Sequence, residues 1–206
     1  MSGAAIAPDD VVRRASDVPA GARAPLVVLD PLEAFLDAHA LGAGPIAAEP
    51  IGEGHSNVTY LIRREQAPEM ILRRPPRPPV PPSAHDVLRE ARVLSALWPT
   101  AARVPRVLAT CADESLIGAP FYIMERVPGE VIVSSVPAAL DRPEERRRIG
   151  EELIDALIEI HAVPWQEVGL EGFGKPTGYL ERQLRRFGGL WEINKTRELA
   201  SIERVG

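Results

Sequence analysis

The stretch that decides the fold covers residues 51–62 and reads Ile-Gly-Glu-Gly-His-Ser-Asn-Val-Thr-Tyr-Leu-Ile. Its two glycines, Gly52 and Gly54, carry no Cβ and let the backbone approach a ligand closely. The small polar residues around them predict a tight turn, and the alternating residues that follow predict a strand. Such a turn between two strands can lay backbone N–H groups over phosphates, but it also occurs in ordinary hairpins.

Composition narrows the class of protein. The 206 residues are 45% hydrophobic and 26% charged, as in soluble globular proteins. A net charge of −5 without a basic stripe argues against a nucleic-acid partner. No apolar run is long enough to span a membrane, and the N-terminus has no signal-peptide pattern. Together with the single Cys111, these features predict a cytoplasmic protein without a membrane partner.

The N-terminal part of the chain shows no hydrophobic period. Residues 1–29 are rich in Ala, Pro and Asp and predict a mostly disordered tail, with order near residues 26–29. A helix is expected next, because Asp30 can serve as its N-cap and Pro31 suits the first helical position. Gly42 would end that helix.

The middle of the chain alternates between strand and turn patterns. Five strands are predicted, over residues 47–51, 58–63, 69–73, 104–111 and 120–125. The proline-rich residues 75–82 form an extended connector after the third strand. A helix then begins at Ser83, with Asp86 completing a weak capping box, and one face carries Val87, Ala91, Leu94 and Trp98. These elements predict an antiparallel sheet carrying one helix.

The pattern becomes helical after residue 128. A helix with a broad apolar face is predicted to end at His161, and a second over residues 179–205 is broken at Gly188-Gly189. The fold class is therefore α+β. Three regions are predicted: a disordered tail over residues 1–29, a small lobe over residues 30–128 and an incomplete helical large lobe over residues 129–206.

The order of the motifs resembles the aminoglycoside phosphotransferase and choline-kinase-like family, especially the phosphotransferase domains related to those fused to acyl-CoA dehydrogenases. The resemblance covers about residues 32–205 and rests on motifs at residues 52–60, 72–76, 82–85, 89–90, 118–125 and 195–199. Each motif is weak by itself, but their order and spacing are specific. The resemblance implies a protein-kinase-like small lobe, with a five-stranded antiparallel sheet and one helix, followed by the first helices of a truncated large lobe.

The resemblance also implies an ATP site. The turn, with Gly52, Gly54, His55, Ser56 and Asn57, would cover the triphosphate. Arg73 would bind the α- and β-phosphates, and Glu90 would hold Arg73 in place. The backbone of Glu125, Arg126 and Val127 would form a hinge that receives the adenine edge, and Ile51, Val58 and Ile71 would pack on the adenine ring.

Simpler interpretations of the same residues stay open. A one-residue shift of register would make Arg74 the inward-facing arginine and leave Arg73 in solvent. Glu90 is also compatible with an ordinary surface charge on a helix, and His55 with an ordinary turn residue.

The catalytic parts of this family do not appear in the sequence. Phosphoryl transfer needs a base and Mg²⁺ ligands, which the family supplies from a His-Gly-Asp loop and a later Asp. Residues 129–206 contain one histidine, His161, followed by Ala162-Val163. We therefore predict no catalytic or metal-binding residue in this chain, an inactive chain on its own, and Mg²⁺ binding only with residues of a large lobe outside it.

Two interpretations follow from these missing motifs. The chain is either a truncated phosphotransferase for a small-molecule hydroxyl, with a hydroxyacyl compound favoured over an aminoglycoside, or a non-catalytic nucleotide- or partner-binding module. The uncovered apolar face of the helix ending at His161 predicts self-association.

Overall fold

The computed structural model describes residues 10–52, 56–79, 85–175, 177–197, 199 and 201. The chain divides into two compact units, Met1–Val163 and Pro164–Gly206. The boundary between the units therefore follows Val163, whereas the sequence placed its boundary after residue 128.

Residues 10–28 form an N-terminal segment that packs against the main core. Strands β1 (Val11–Val12) and β2 (Val27–Val28) form a parallel pair, and Val27 is fully buried in the main core. Asp10 is 2% exposed, and its Oδ1 forms ion pairs with Arg77 Nη2 at 2.5 Å and Arg23 Nη2 at 3.3 Å. The prediction of a disordered tail is wrong for residues 10–25, because contacts distant in sequence order a segment that lacks local periodicity. The order expected near residues 26–29 is found in β2 and the start of α1.

Helix α1 (Leu29–Ala38) follows β2 directly. It begins two residues earlier than predicted, since Val28 is the N-cap in place of Asp30 and makes no side-chain cap. The Asp30 carboxylate pairs instead with Arg13 Nε at 3.1 Å, which holds the N-terminal segment against the helix.

The first unit is built on a five-stranded antiparallel sheet. Its strands are β3 (Ile46–Pro50), β4 (Val58–Arg64), β5 (Met70–Arg74), β6 (Val107–Cys111) and β7 (Phe121–Glu125). They lie in the order β3-β4-β5-β7-β6, and every neighbouring pair is antiparallel. The predicted strands and fold class are confirmed, with the strand ends shifted by a few residues.

The sheet has a different cover on each face. One face forms the main core, where side chains of β4, β5 and β7 pack against α1 and β2. The other face carries helix α2 (Val87–Leu97), whose Val87 and Ala91 pack on Tyr122 of β7. The helix begins at Asp86, whose carboxylate accepts the backbone N–H of Arg89 at 2.9 Å. Asp86 is thus the N-cap, and the predicted start at Ser83 lies outside the described residues.

Helix α3 (Pro143–His161) completes the first unit. Arg103 binds it through Glu152 at 2.5 Å and Glu159 at 2.8 Å. The opposite, apolar side of α3 is exposed, with relative exposures between 43% and 61% at Leu153, Ile154, Leu157, Ile158 and Ile160.

The second unit contains helix α4 (Tyr179–Asn194). It continues through Gly188 and Gly189, so the predicted break is wrong. Glycine lowers helix propensity by about 1 kcal/mol relative to alanine but keeps its N–H donor, so a helix can continue across it. None of the helices in the described ranges has the length and apolar character needed to cross a bilayer.

Candidate functional site

The centre of the candidate site is an ion pair between β5 and α2. Arg73 Nε lies 2.8 Å from Glu90 Oε1 and donates to Glu90 Oε2 at 3.1 Å. Arg73 Nη1 donates to the hydroxyl of Thr59 on β4 at 3.0 Å. The Arg73 side chain is 28% exposed, and within the described ranges its Nη2 has no protein acceptor. Two neighbours therefore fix the guanidinium while one of its edges remains available.

The neighbouring Arg74 points to the opposite face of the sheet, as strand alternation requires. Only 3% of Arg74 is exposed, and its Nη1 donates to the carbonyls of Leu26 and, at 2.9 Å, Ile117. Burial lowers the pKa of Arg74 to about 10. The register question left by the sequence is thereby resolved: Arg73 faces α2, and Arg74 joins the N-terminal segment to the core.

The glycine turn connects β3 to β4. Gly52 has a φ of +81°, a conformation that favours glycine, and a Cβ placed there would meet no atom within 4 Å. The turn closes through Ile51 N, which donates to the Thr59 carbonyl at 3.0 Å. The predictions for Gly54 and His55 lie outside the described residues.

The end of the turn is bonded to the ion pair. Asn57 Nδ2 donates to Glu90 Oε2 at 3.0 Å, so Glu90 accepts from both Asn57 and Arg73. His85, just before α2, lies with its Nδ1 3.1 Å from Asn57 Oδ1 and 3.2 Å from Ser56 Oγ. The structure therefore brings together four residues predicted for the site: Ser56, Asn57, Arg73 and Glu90.

Sequence reasoning missed Thr59 and His85. Strand alternation from Arg73 could have identified Thr59, because the two residues are register partners across β4 and β5. His85 stood in a motif that carries the family resemblance, but no local pattern gave it a contact. Its partners lie 28 and 29 residues earlier in the chain.

The apolar wall beside the ion pair differs from the prediction. Ile71 lies two residues before Arg73 on the same face, and Leu61 is its partner on β4. Val58 pairs with Arg74 and packs against the main core, on the other face. The predicted place of Val58 on an adenine ring is therefore wrong, because a strand turns successive side chains to opposite faces. Ile51 is half-buried at the end of β3.

The predicted hinge follows β7. Glu125 N donates to the Arg106 carbonyl at 2.9 Å, and Glu125 Oε1 accepts the Arg106 N–H at 3.0 Å. The Glu125 side chain thus fastens the chain before β6 to the end of β7. Arg126 pairs with Glu69, and Val127 is 62% exposed.

Comparison with known proteins identifies the family. A family model described as the phosphotransferase enzyme family matches residues 47–205. This chain belongs to that family. Among related proteins, acyl-CoA dehydrogenase family member 10 of Mus musculus is 34% identical over 174 residues, covering 84% of this chain and 16% of the relative. Acyl-CoA dehydrogenase family member 11 of Gallus gallus is 36% identical over 144 residues, covering 69% of this chain and 18% of the relative.

A solved structure shares the fold of this phosphotransferase-family chain. It is the crystal structure of a Ralstonia eutropha protein described as a candidate aminoglycoside phosphotransferase, with a TM-score of 0.67 and 33% sequence identity. The match covers 83% of this chain and 49% of that one. The chain thus spans less than a quarter of the curated relatives named here and about half of the solved protein.

The environment under the ion pair is apolar. Tyr122 is the register partner of Arg73 on β7 and is fully buried. Burial raises the pKa of Tyr122 above its usual value, and the negative charge of Glu90 raises that pKa further. The phenol therefore stays neutral, and the charge balance of the site is determined by Arg73 and Glu90.

Proposed function

We propose that this chain is the nucleotide-binding part of a phosphotransferase that uses ATP to phosphorylate a small-molecule hydroxyl. The observation that carries the proposal is the Arg73–Glu90 ion pair, which lies on the sheet face bordered by the open glycine turn. Kinase-like sites require such a basic residue, held by a helix carboxylate, beside a glycine turn.

The contacts of Arg73 suit a phosphate. A guanidinium is permanently charged and planar, and it can present parallel N–H donors to phosphate oxygens. Glu90 and Thr59 hold two of its nitrogens, so less rotamer entropy is lost on binding than for a free side chain. The edge bearing Nη2 would then meet the α- and β-phosphates.

The other residues have supporting parts in the proposal. Backbone N–H groups around Gly52 would bind the phosphates from above, and Ile71 with Leu61 would form an apolar wall for the adenine ring. The backbone of residues 125–127 would receive the adenine edge. ATP, when bound with Mg²⁺, would supply the phosphoryl group.

The proposal assigns the base and the Mg²⁺ ligands to residues outside these 206. The only histidine in residues 129–206, His161, is followed by Ala162-Val163. The acceptor proposed is a hydroxyacyl compound, because relatives of this chain carry the name acyl-CoA dehydrogenase family member. A cytoplasmic location is proposed from the single cysteine and the overall composition.

The test is an ATP titration of the full chain by isothermal calorimetry. Arg73→Met should weaken binding by about 10- to 100-fold, the loss expected for a charge-assisted hydrogen bond of about 1.5–3 kcal/mol. Arg63→Met is the matched control, because Arg63 lies on β4 of the same sheet and pairs with Glu49 and Glu69 but is exposed. Equal ATP affinity in the Arg73→Met and wild-type chains would contradict the assignment.

A non-catalytic nucleotide-binding module is the second candidate, favoured by the missing His-Gly-Asp motif in residues 129–206. The two candidates differ in turnover. Transfer or hydrolysis of ATP by this chain alone would show that it holds the catalytic groups and would exclude the module. Binding without turnover is expected for the module, and also for a phosphotransferase whose base lies elsewhere. Restored turnover on adding the remaining part of a related phosphotransferase would separate these two cases.

A further inference from the structure

We infer that His85 and Asn57 are positioning residues that join the glycine turn to the Arg73–Glu90 pair, so that both are set for phosphate as one unit. The inference rests on the proposed function and extends it to two side chains that hydrogen-bond to each other and, through Asn57, to Glu90. Three side-chain contacts carry it, and they connect residues of the turn, His85 just before α2 and Glu90 in the first turn of α2.

The direction of the hydrogen bonds is determined by Glu90. Its carboxylate only accepts, so Asn57 must present its amide nitrogen to Glu90, at 3.0 Å. The amide oxygen of Asn57 then faces His85 and can only accept. His85 Nδ1 therefore carries the proton and donates to Asn57 Oδ1 at 3.1 Å, with Ser56 Oγ at 3.2 Å as a second acceptor.

This order of donors has a consequence for Asn57. If its amide rotated by half a turn, its oxygen would face the Glu90 carboxylate, and its nitrogen would face the N–H of His85. Both new contacts would be repulsive, so His85 keeps Asn57 in the orientation that supports Glu90. Glu90 in turn orients Arg73.

The backbone of His85 also points to a positional requirement. Its φ of +61° is a left-handed conformation that few non-glycine residues adopt, with Asn, Asp and His the most frequent among them. Such a conformation costs of order 1 kcal/mol and persists where the surrounding contacts enforce it. A residue that served only to make this bend would be replaced by glycine without loss. The positioning role requires the imidazole donor as well.

The experiment compares substitutions that separate conformation from hydrogen bonding. His85→Gly relieves the left-handed strain but removes the donor, and should raise the Kd for ATP about tenfold without lowering the melting temperature. His85→Asn keeps both the left-handed tolerance and an amide donor near the place of Nδ1, and should stay within about threefold of wild type. Asn57→Asp sets a second carboxylate against Glu90 and should weaken ATP binding more than His85→Gly.

The control is His39→Gly at the end of α1, where the imidazole contacts the Phe35 carbonyl and ring, away from the Arg73–Glu90 pair. It should leave the Kd for ATP unchanged. ATP binding by His85→Gly at wild-type affinity would overturn the inference, and so would a His85→Asn chain as impaired as His85→Gly. If Arg73→Met weakens binding while His85→Gly does not, the positioning role alone fails. If Arg73→Met binds like wild type, the proposed function fails.

A second measurement does not depend on ATP. Nitrogen-15 NMR of the histidine-labelled apo chain reports the tautomer of each imidazole, and the His85→Asn spectrum identifies the signals of His85. The expected result is a ring that carries a proton on Nδ1. A ring protonated only on Nε2 cannot donate to Asn57 and would overturn the inference.

Discussion

Replacing the two adjacent arginines of β5 with methionine should change two different properties: Arg74→Met should lower folding stability, and Arg73→Met should weaken ATP binding. Arg74 donates to the buried carbonyls of Leu26 and Ile117. A buried carbonyl left without a donor costs about 1–3 kcal/mol, so two cost about 2–6 kcal/mol. Removing a charge that burial already disfavours, as its lowered pKa shows, offsets part of this loss. We expect Arg74→Met to lose about 3 kcal/mol of folding free energy.

Arg73 is partly exposed, and its pair with Glu90 should contribute less than about 1 kcal/mol to stability. Differential scanning calorimetry measures the contrast. For a chain of this size 1 kcal/mol corresponds to about 2–4 °C, so Arg74→Met should melt about 6–12 °C lower and Arg73→Met within about 4 °C of wild type. ATP affinity should show the reverse order. A stable Arg74→Met chain, or an Arg73→Met chain that loses more stability than Arg74→Met, would refute the assignment of faces.

Three further predictions concern parts of the chain away from the ion pair. The exposed apolar side of α3 should cause concentration-dependent self-association, and Leu153→Glu with Leu157→Glu should shift the sedimentation velocity profile toward monomer; a wild-type monomer at all concentrations would contradict this. Burial raises the pKa of Tyr60 to about 12 and also raises the pKa of Tyr122. At about pH 11, the tyrosinate absorbance of the folded chain should therefore correspond to no more than one of its three tyrosines. The neutral form of these buried phenols favours the folded state, so their contribution to stability is complete below about pH 10 and is lost as pH rises through their folded pKa values. Tyrosinate absorbance from more than one tyrosine at about pH 11 would contradict this prediction. Asp10→Ala breaks a buried ion-pair cluster and should lower the melting temperature by several degrees, whereas an unchanged melt would show that the N-terminal segment contributes little.

Local patterns in the sequence were sufficient for the sheet and for α2, because alternating strands and helical faces are short-range signals. The pairing of Arg73 with Glu90 was predicted from the resemblance to a known family, and the structure contains this ion pair. The first helix was predicted nearly correctly, but its supposed cap, Asp30, has a tertiary partner in Arg13 instead. The sequence around Asp30 does not show whether its carboxylate will cap the helix or pair with an arginine 17 positions earlier.

Two of the shortcomings, the disordered tail and the missed His85, share one physical cause, which is contact between residues far apart in the chain. Residues 10–28 lack a period, yet Asp10 binds Arg77, 67 positions later, and this contact orders the segment. Strand β4 begins at Val58 as predicted, but Val58 is the register partner of Arg74 and therefore lies on the face opposite Arg73. His85 was missed because both of its partners, Asn57 and Ser56, lie in the glycine turn, 28 and 29 residues earlier in the chain.

The most direct test of the central claim is to map ATP binding on the nitrogen-15-labelled full chain by NMR. We predict that ATP shifts the amide signals of Gly52, Asn57 and Arg73, together with the side-chain Nε–H signal of Arg73. In Arg73→Met, the shifts of Gly52 and Asn57 should be smaller at the same ATP concentration. An unchanged spectrum at millimolar ATP, or shifts confined to residues on the Arg74 face of the sheet, would contradict the account.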